Sequence, residues 1–154
     1  MEGFPEGLEY YKRFPIDLRT ALIENIVTFP ETLQQEYEER VVYRAIKYNS
    51  KKTCIDQSDF ASYIEKRAEN PMIPVDDSNI SSYSCSCYMD LDKLHIFTKF
   101  PTKNKAVAKG SICDELGPVV IDKKRSHVDW FLFEGVDPSD RFEVIEKWEK
   151  SGYH

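Results

Sequence analysis

Four apolar runs joined by short, turn-rich links occupy the last third of the chain, and they constrain its fold more than any other feature. The runs AVAKGSI, GPVVI, HVDWFLF and RFEVIEKW begin at residues 106, 117, 127 and 141. β-branched and aromatic residues, which favour strands, are frequent in them. Links this short suit antiparallel neighbours, because parallel strands need a longer crossover. The sequence therefore predicts a mostly antiparallel sheet.

The first 40 residues have a helical pattern instead. In FPIDLRTALIENIVTFP, residues 14–30, Leu18, Leu22 and Ile26 form one helical stripe. Residues 31–40, ETLQQEYEER, are polar and helix-prone, so we expect two helices that pack on the sheet. Helices followed by strands are typical of an α+β fold. We expect one domain over residues 1–154, with a helical part at 1–40 and a mixed strand and helix core at 41–148.

The middle of the chain alternates short elements. VVYRAIKY, residues 41–48, is predicted to be a strand in which Arg44 shares a face with apolar neighbours. Ser58 is a plausible N-cap for a helix that ends near Glu69, and residues 69–79 read as a loop. SSYSCSCYM follows as a strand of small residues, in which Cys85 and Cys87 are expected to be small buried thiols on one face. Residues 90–100 predict a short helix.

Composition restricts the classes of function. With 21 basic and 27 acidic side chains the net charge is −6, which argues against broad nucleic-acid binding and mildly favours a basic partner or no charged partner at all. No secretory signal opens the sequence, and no apolar run is long enough to cross a membrane. Four cysteines are few for a secreted disulfide scaffold, so we expect a cytoplasmic protein with reduced thiols. Three histidines and a single C-x-C pair lead us to expect no metal site.

No strong catalytic motif is present, and the strongest remaining signal is a spaced trio. It consists of an arginine in the apolar strand V-Y-R-A-I, the small-hydroxyl strand S-Y-S-C-S, and an acid at the start of H-V-D-W-F-L-F. This order resembles the ADP-ribosyltransferase fold of the R-S-E type. In that family an arginine helps to hold the NAD phosphates and orients nearby backbone, an S-x-S element shapes the nicotinamide-ribose pocket, and a glutamate stabilises the oxocarbenium-like state.

The resemblance implies a set of site residues and a cofactor. Arg44 matches the arginine, and Ser84 and Ser86 match the S-x-S element, so these three would bind NAD. Asp129 stands where the family has its glutamate and is one methylene shorter. His127 takes the place of the first acid of an E-x-E pair, two residues earlier on the same strand face. The domain would accordingly be an active or a degenerate transferase.

Other interpretations of the same residues stay open. Arg44 could pair with a surface acid, the two serines could be small packing residues, and Asp129 could accept a hydrogen bond from a turn. A second hypothesis is a non-enzymatic protein such as an inhibitor, an immunity factor or a phage-borne modulator. It would present residues 31–40 or 134–140 to a basic site on a protein partner. A third hypothesis is a hydrolase centred on Cys113 or His127.

Overall fold

The computed structural model describes residues 9–148 and has an α+β fold. Six strands form one sheet in the order β4-β5-β2-β1-β3-β6. All five strand pairings are antiparallel, which confirms the predicted sheet. The strands are β1 (Arg40–Lys47), β2 (Cys85–Tyr88), β3 (Lys105–Ile112), β4 (Val119–Asp122), β5 (His127–Trp130) and β6 (Phe142–Lys147), and the helices are α1 (Ile16–Ile23), α2 (Tyr63–Glu69) and α3 (Leu91–Thr98).

The sheet is weakly joined in its middle, between β1 and β2. Strand β1 pairs with β3 along its whole length, from Arg40 opposite Ile112 to Lys47 opposite Lys105. It pairs with β2 at one position only, Tyr43 opposite Tyr88. This single pair joins two more extensively paired sets of strands, β4-β5-β2 and β1-β3-β6. We call this place the β1–β2 junction.

Alternation along the strands gives the sheet two different faces. The first face carries the main core, formed by Val42, Ile46, Cys85, Cys87, Ala106, Ala108, Val119, Val128, Trp130 and Phe142, all buried. The register places the neighbours of these residues on the second face, where Ser86 lies opposite Asp129 and Tyr88 opposite His127. Polar side chains of β2 and β5 are therefore collected on the second face.

Helix α1 is shorter than the predicted helix over residues 14–30. Leu18 and Leu22 are buried in a second cluster with Phe14, Phe131 and Phe133, as their stripe predicted. The helix ends at Ile23, and Asn25 then adopts a positive φ of 60°. The turn leaves Ile26 outside the stripe and 49% exposed. The polar residues around Asn25 thus end the helix, although apolar residues with helical spacing continue as far as Ile26.

The predicted helix over residues 31–40 is wrong, whereas short helices before the sheet are confirmed. Within the described part of residues 1–40, only residues 9–11 and α1 are α-helical. Gln34 forms a β-bridge with Val119, at the edge of β4. Tyr37 donates its hydroxyl to the Gly117 carbonyl oxygen at 2.6 Å, and its backbone N–H to Asp114 Oδ2 at 3.1 Å. These tertiary bonds hold the segment extended along the sheet edge and override its helix propensity.

Two other boundaries differ from prediction. The helix expected from Ser58 to Glu69 is divided into a 3₁₀ turn, Gln57–Phe60, and α2, with Asp56 and Ser62 as their respective N-caps. Each cap forms a capping box, so each segment begins separately. Strand β5 ends at Trp130 rather than at residue 133. The residues after it bond to a loop, with Phe131 N–H donating to the Pro118 carbonyl.

Candidate functional site

A buried carboxylate lies at the centre of the second face of the sheet. Asp129 on β5 is only 8% exposed. Ser84 Oγ lies 2.7 Å from its Oδ1, and Ser81 Oγ donates to its Oδ2 at 2.9 Å. Ser81 belongs to the 3₁₀ turn Ile80–Tyr83, whose N-cap Asn79 accepts a bond from the Ser81 backbone N–H. Two hydroxyl groups thus offset part of the cost of burying this acid.

His127 and Ser86 extend this network on the neighbouring positions of β5 and β2. The Ser86 Oγ lies 2.6 Å from His127 Nε2. The other ring nitrogen, Nδ1, lies 3.9 Å from Asp129 Oδ1. Burial is the main cause that lowers the pKa of His127, while the Asp129 charge opposes it. The imidazole is therefore neutral near pH 7 and can accept the Ser86 proton.

Arg44 belongs to the first face and is 5% exposed. Its side chain reaches into the β1–β2 junction and donates to three backbone carbonyl oxygens. Nε bonds to Asp59 at 2.7 Å, Nη1 to Ser86 at 2.5 Å and Nη2 to Ala61 at 3.4 Å. The predicted apolar face is confirmed, since Val42 and Ile46 are also buried. Because its donors serve backbone carbonyl groups, Arg44 does not pair with a surface acid.

The structure brings four of the five predicted site residues together. Ser84, Ser86, His127 and Asp129 form one hydrogen-bonded or closely spaced group on the second face. Arg44 is adjacent through the Ser86 backbone, but its guanidinium lies toward the first face. Among residues 9–148 no hydrogen bond or ion pair joins it to Asp129 or His127. The roles assigned to these residues remain predictions.

A cluster of cations near Arg44 was not anticipated. Lys66 on α2 has its pKa lowered to about 8, first by burial and then by the charges of Arg44 and Lys105. Burial also lowers the pKa of Lys105, again with Arg44 and with Lys47, which lies directly opposite on β1. In the described part of the chain, no carboxylate lies within ion-pair distance of Lys66 or Lys105. Spacing along the sequence carries no signal for this cluster, because three separate elements contribute to it.

The buried cysteines and a cavity lie outside the polar network of Ser84, Ser86, His127 and Asp129. Cys85 and Cys87 are free, buried thiols on the first face, as predicted. Cys113 is buried too, and over residues 9–148 no hydrogen bond joins it to His127. A cavity of about 310 Å³ opens on the first face, and none of the five predicted site residues lines it. Its walls include Leu18, Phe60, Ile64, Cys85 and Leu132.

Comparison with protein families, curated proteins and solved structures gives no match to this chain. Within residues 9–148, no helix is long and apolar enough to cross a membrane. Over the same residues, no group of three or more histidine, cysteine, aspartate or glutamate side chains is arranged to hold a metal ion.

Proposed function

We propose that this chain is an ADP-ribosyltransferase-like domain that binds NAD or a related nucleotide at the β1–β2 junction. One observation carries the proposal. Arg44 on β1 bonds to the backbone of Ser86 on β2, and Ser86 lies directly opposite Asp129 on β5. The arginine, the small-hydroxyl element and the acid therefore occupy three adjacent strands. We infer that the nucleotide binds where β1 and β2 pair at a single position.

Arg44 orients backbone in this proposal, and it does not hold phosphate. Its three donor nitrogens already serve carbonyl oxygens, and the residue is buried. The phosphate contacts pass to Lys66 and Lys105, whose charges lie near Arg44 without an acidic partner among the described residues. A bound pyrophosphate would relieve the mutual repulsion of these cations. That relief supplies a driving force for binding an anion there.

Asp129 is the residue that we assign to the reacting end of the nucleotide. A carboxylate fixed by Ser81 and Ser84 can stabilise positive charge that develops on a ribose as nicotinamide leaves. His127 lies beside it and is neutral near pH 7. The domain is an active transferase if the shorter aspartate reaches the ribose, and a degenerate nucleotide-binding domain if it does not.

Isothermal calorimetry with NAD tests this proposal. The wild type should bind saturably, and Lys66→Gln should weaken binding about tenfold, since a charge-assisted contact is worth about 1.5 kcal/mol or more. Lys103→Gln is the matched control, because Lys103 is exposed in the loop before β3. Nicotinamide release by the wild type, lost in Asp129→Asn with NAD binding retained, would identify an active enzyme. The absence of a heat of binding at millimolar NAD would contradict the proposal.

An acidic interaction protein is the second candidate function, and an exposed segment favours it. Glu31, Glu36 and Glu38 are exposed along the extended edge segment beside β4. Such a row of acids would match a basic site on a protein partner in the cytosol, where the free thiols stay reduced. Titration with a lysine-rich peptide, for the wild type and for the Glu36→Gln, Glu38→Gln double variant, tests this. Equal affinities would exclude the segment as the docking surface.

A further inference from the structure

We propose that Ser86 is a nucleophile activated by His127, and that this site accepts an acyl group from a carboxylic ester. The Ser86 Oγ lies 2.6 Å from His127 Nε2, within the reach that a nucleophile and its general base require. The Asp129 carboxylate lies 3.9 Å from the opposite ring nitrogen. The Ser86–His127 contact supplies the nucleophile and its base, and the Asp129 charge lies close enough to stabilise an imidazolium without hydrogen bonding to it.

The three side chains of Ser86, His127 and Asp129 are each held in place by a different neighbour. Asp129 is fixed by the hydroxyl groups of Ser81 and Ser84. The Tyr88 ring lies edge-on to the imidazole, with ring centroids 5.1 Å apart. The Ser86 backbone is fixed by the Arg44 guanidinium at 2.5 Å. These contacts matter because a nucleophile and a base that are already held side by side do not lose conformational entropy in the reaction.

The site is enclosed and still has contact with solvent. The side chain of His127 is 15% exposed and that of Asp129 is 12% exposed. The imidazole and the carboxylate are therefore buried to a similar degree, and neither is cut off from solvent. An ester would have to reach Ser86 from the second face of the sheet, where its hydroxyl group contacts His127. Partial enclosure also strengthens the interaction between Asp129 and a protonated imidazole.

The reaction follows the ordinary course of nucleophilic acyl transfer. The Ser86 oxygen forms a bond to the ester carbonyl carbon, and its proton passes to His127 Nε2. The carbon–oxygen bond to the leaving alcohol breaks, and the alcohol takes that proton from the imidazolium. Water then attacks the acyl-serine, with its proton moving through His127, and releases a carboxylic acid. Asp129 is a positioning residue, which stabilises the imidazolium and remains ionised.

The charged and titratable groups that face His127 set the pH dependence of this reaction. They are Asp129 on the same strand, Asp122 on β4, Arg125 in the β4–β5 turn, and the Tyr88 phenol on β2. The base must be neutral, so acylation should increase with pH, with its midpoint below the ordinary histidine pKa of 6.5. Replacement of Asp129 by Asn should move this profile, whereas a purely structural role would change only the yield of folded protein.

The test is acylation of the full-length protein by 4-nitrophenyl acetate, followed by intact mass measurement and peptide mapping. The wild type should release nitrophenolate and gain one acetyl group on Ser86. Ser86→Ala should remove the adduct, and His127→Gln should slow acylation about 100-fold, the usual contribution of a general base. Ser78→Ala is the matched control, since the exposed Ser78 hydroxyl contacts the Asp76 carboxylate instead of a histidine.

Circular dichroism of each variant separates loss of reactivity from loss of fold. Ser86→Cys provides a second variant that keeps a nucleophile on the same strand, and it should still be acylated. Acetylation of the wild type at lysines alone, or equal rates for the wild type and His127→Gln, would overturn the proposal. Neither result depends on NAD, so failure here and failure of the nucleotide site are distinguishable.

Discussion

Arg44 Nη1 lies 2.5 Å from the backbone carbonyl oxygen of Ser86, and this bond spans two strands that pair at one position only. The guanidinium also holds the carbonyl groups of Asp59 and Ala61, in the segment that leads to α2. One buried side chain thus joins the two halves of the sheet and the segment beside them. This makes Arg44 the structural centre of the proposed cleft.

Replacement of Arg44 should therefore be costly. Arg44→Met keeps the apolar stem but leaves three carbonyl groups without their donor, so we expect a loss of about 3–5 kcal/mol in the free energy of unfolding. Urea unfolding followed by fluorescence measures this loss. Arg67→Met is the control, because Arg67 forms a solvent-exposed ion pair with Asp77 and should cost under about 1 kcal/mol. Similar losses in the two variants would contradict a central role for Arg44.

Gly117 is the point of closest backbone approach beside β5. A Cβ atom there would overlap the carbonyl oxygen of Phe131, which belongs to fixed backbone. We expect Gly117→Ala to destabilise the protein by about 3 kcal/mol. Gly135→Ala should cost about 1 kcal/mol, since Gly135 has a φ of 82° but open space around it. A thermal unfolding series of both variants checks the order, and equal costs would refute the close approach.

Lys66 should make stability depend on alkaline pH. Its folded-state pKa of about 8 lies below the value in an unfolded chain, so the unfolded state binds more protons between the two values. Stability should therefore rise as pH increases from 8 toward about 10.4. Lys66→Met should remove this rise and add about 1 kcal/mol at pH 7, a figure reduced for solvent screening. Urea unfolding at pH 7 and pH 9.5 tests both effects, with Lys103→Met as the control.

His127 should have a consequence of the same sign on the acid side of neutrality, where stability should also rise with pH. Burial lowers its pKa below the ordinary 6.5, so the unfolded chain binds a proton first as pH falls. The stability that this residue contributes is present above the unfolded-state value and is lost as pH falls through the folded-state value. An NMR titration of the imidazole should place its pKa below 6.5. A value above 6.5 would mean that Asp129 outweighs burial.

Periodicity in the sequence predicts most of the fold because each strand carries its own pattern. The positions of β1, β3, β4 and β6 follow from alternating or continuous apolar runs with turn residues between them. Residues 31–40 could not be predicted in this way, since Tyr37 and Gln34 are held by bonds to distant loop and strand residues. The end of α1 at Ile23 depends likewise on the backbone of Asn25 rather than on the apolar stripe.

The candidate site could be predicted in part for the same reason. Period-two alternation places His127 and Asp129 on one face, and the short strand of small residues supplies Ser84 and Ser86. The register between β2 and β5 is a tertiary property, so the Ser86–His127 contact was not predictable. The carbonyl partners of Arg44, and the approach of Lys66 to Arg44 from α2, could not be predicted from the sequence either.

The most direct test of the central claim is a ¹H–¹⁵N NMR titration of the isotope-labelled protein with NAD. The nucleotide site at the β1–β2 junction predicts saturable shift changes for the backbone amides of Ala45, Ser86, Cys87 and Asp129, and for residues around Lys66. Amides of the edge strands β4 and β6 should change little. Shift changes confined to another surface, or none at millimolar NAD, would contradict the account.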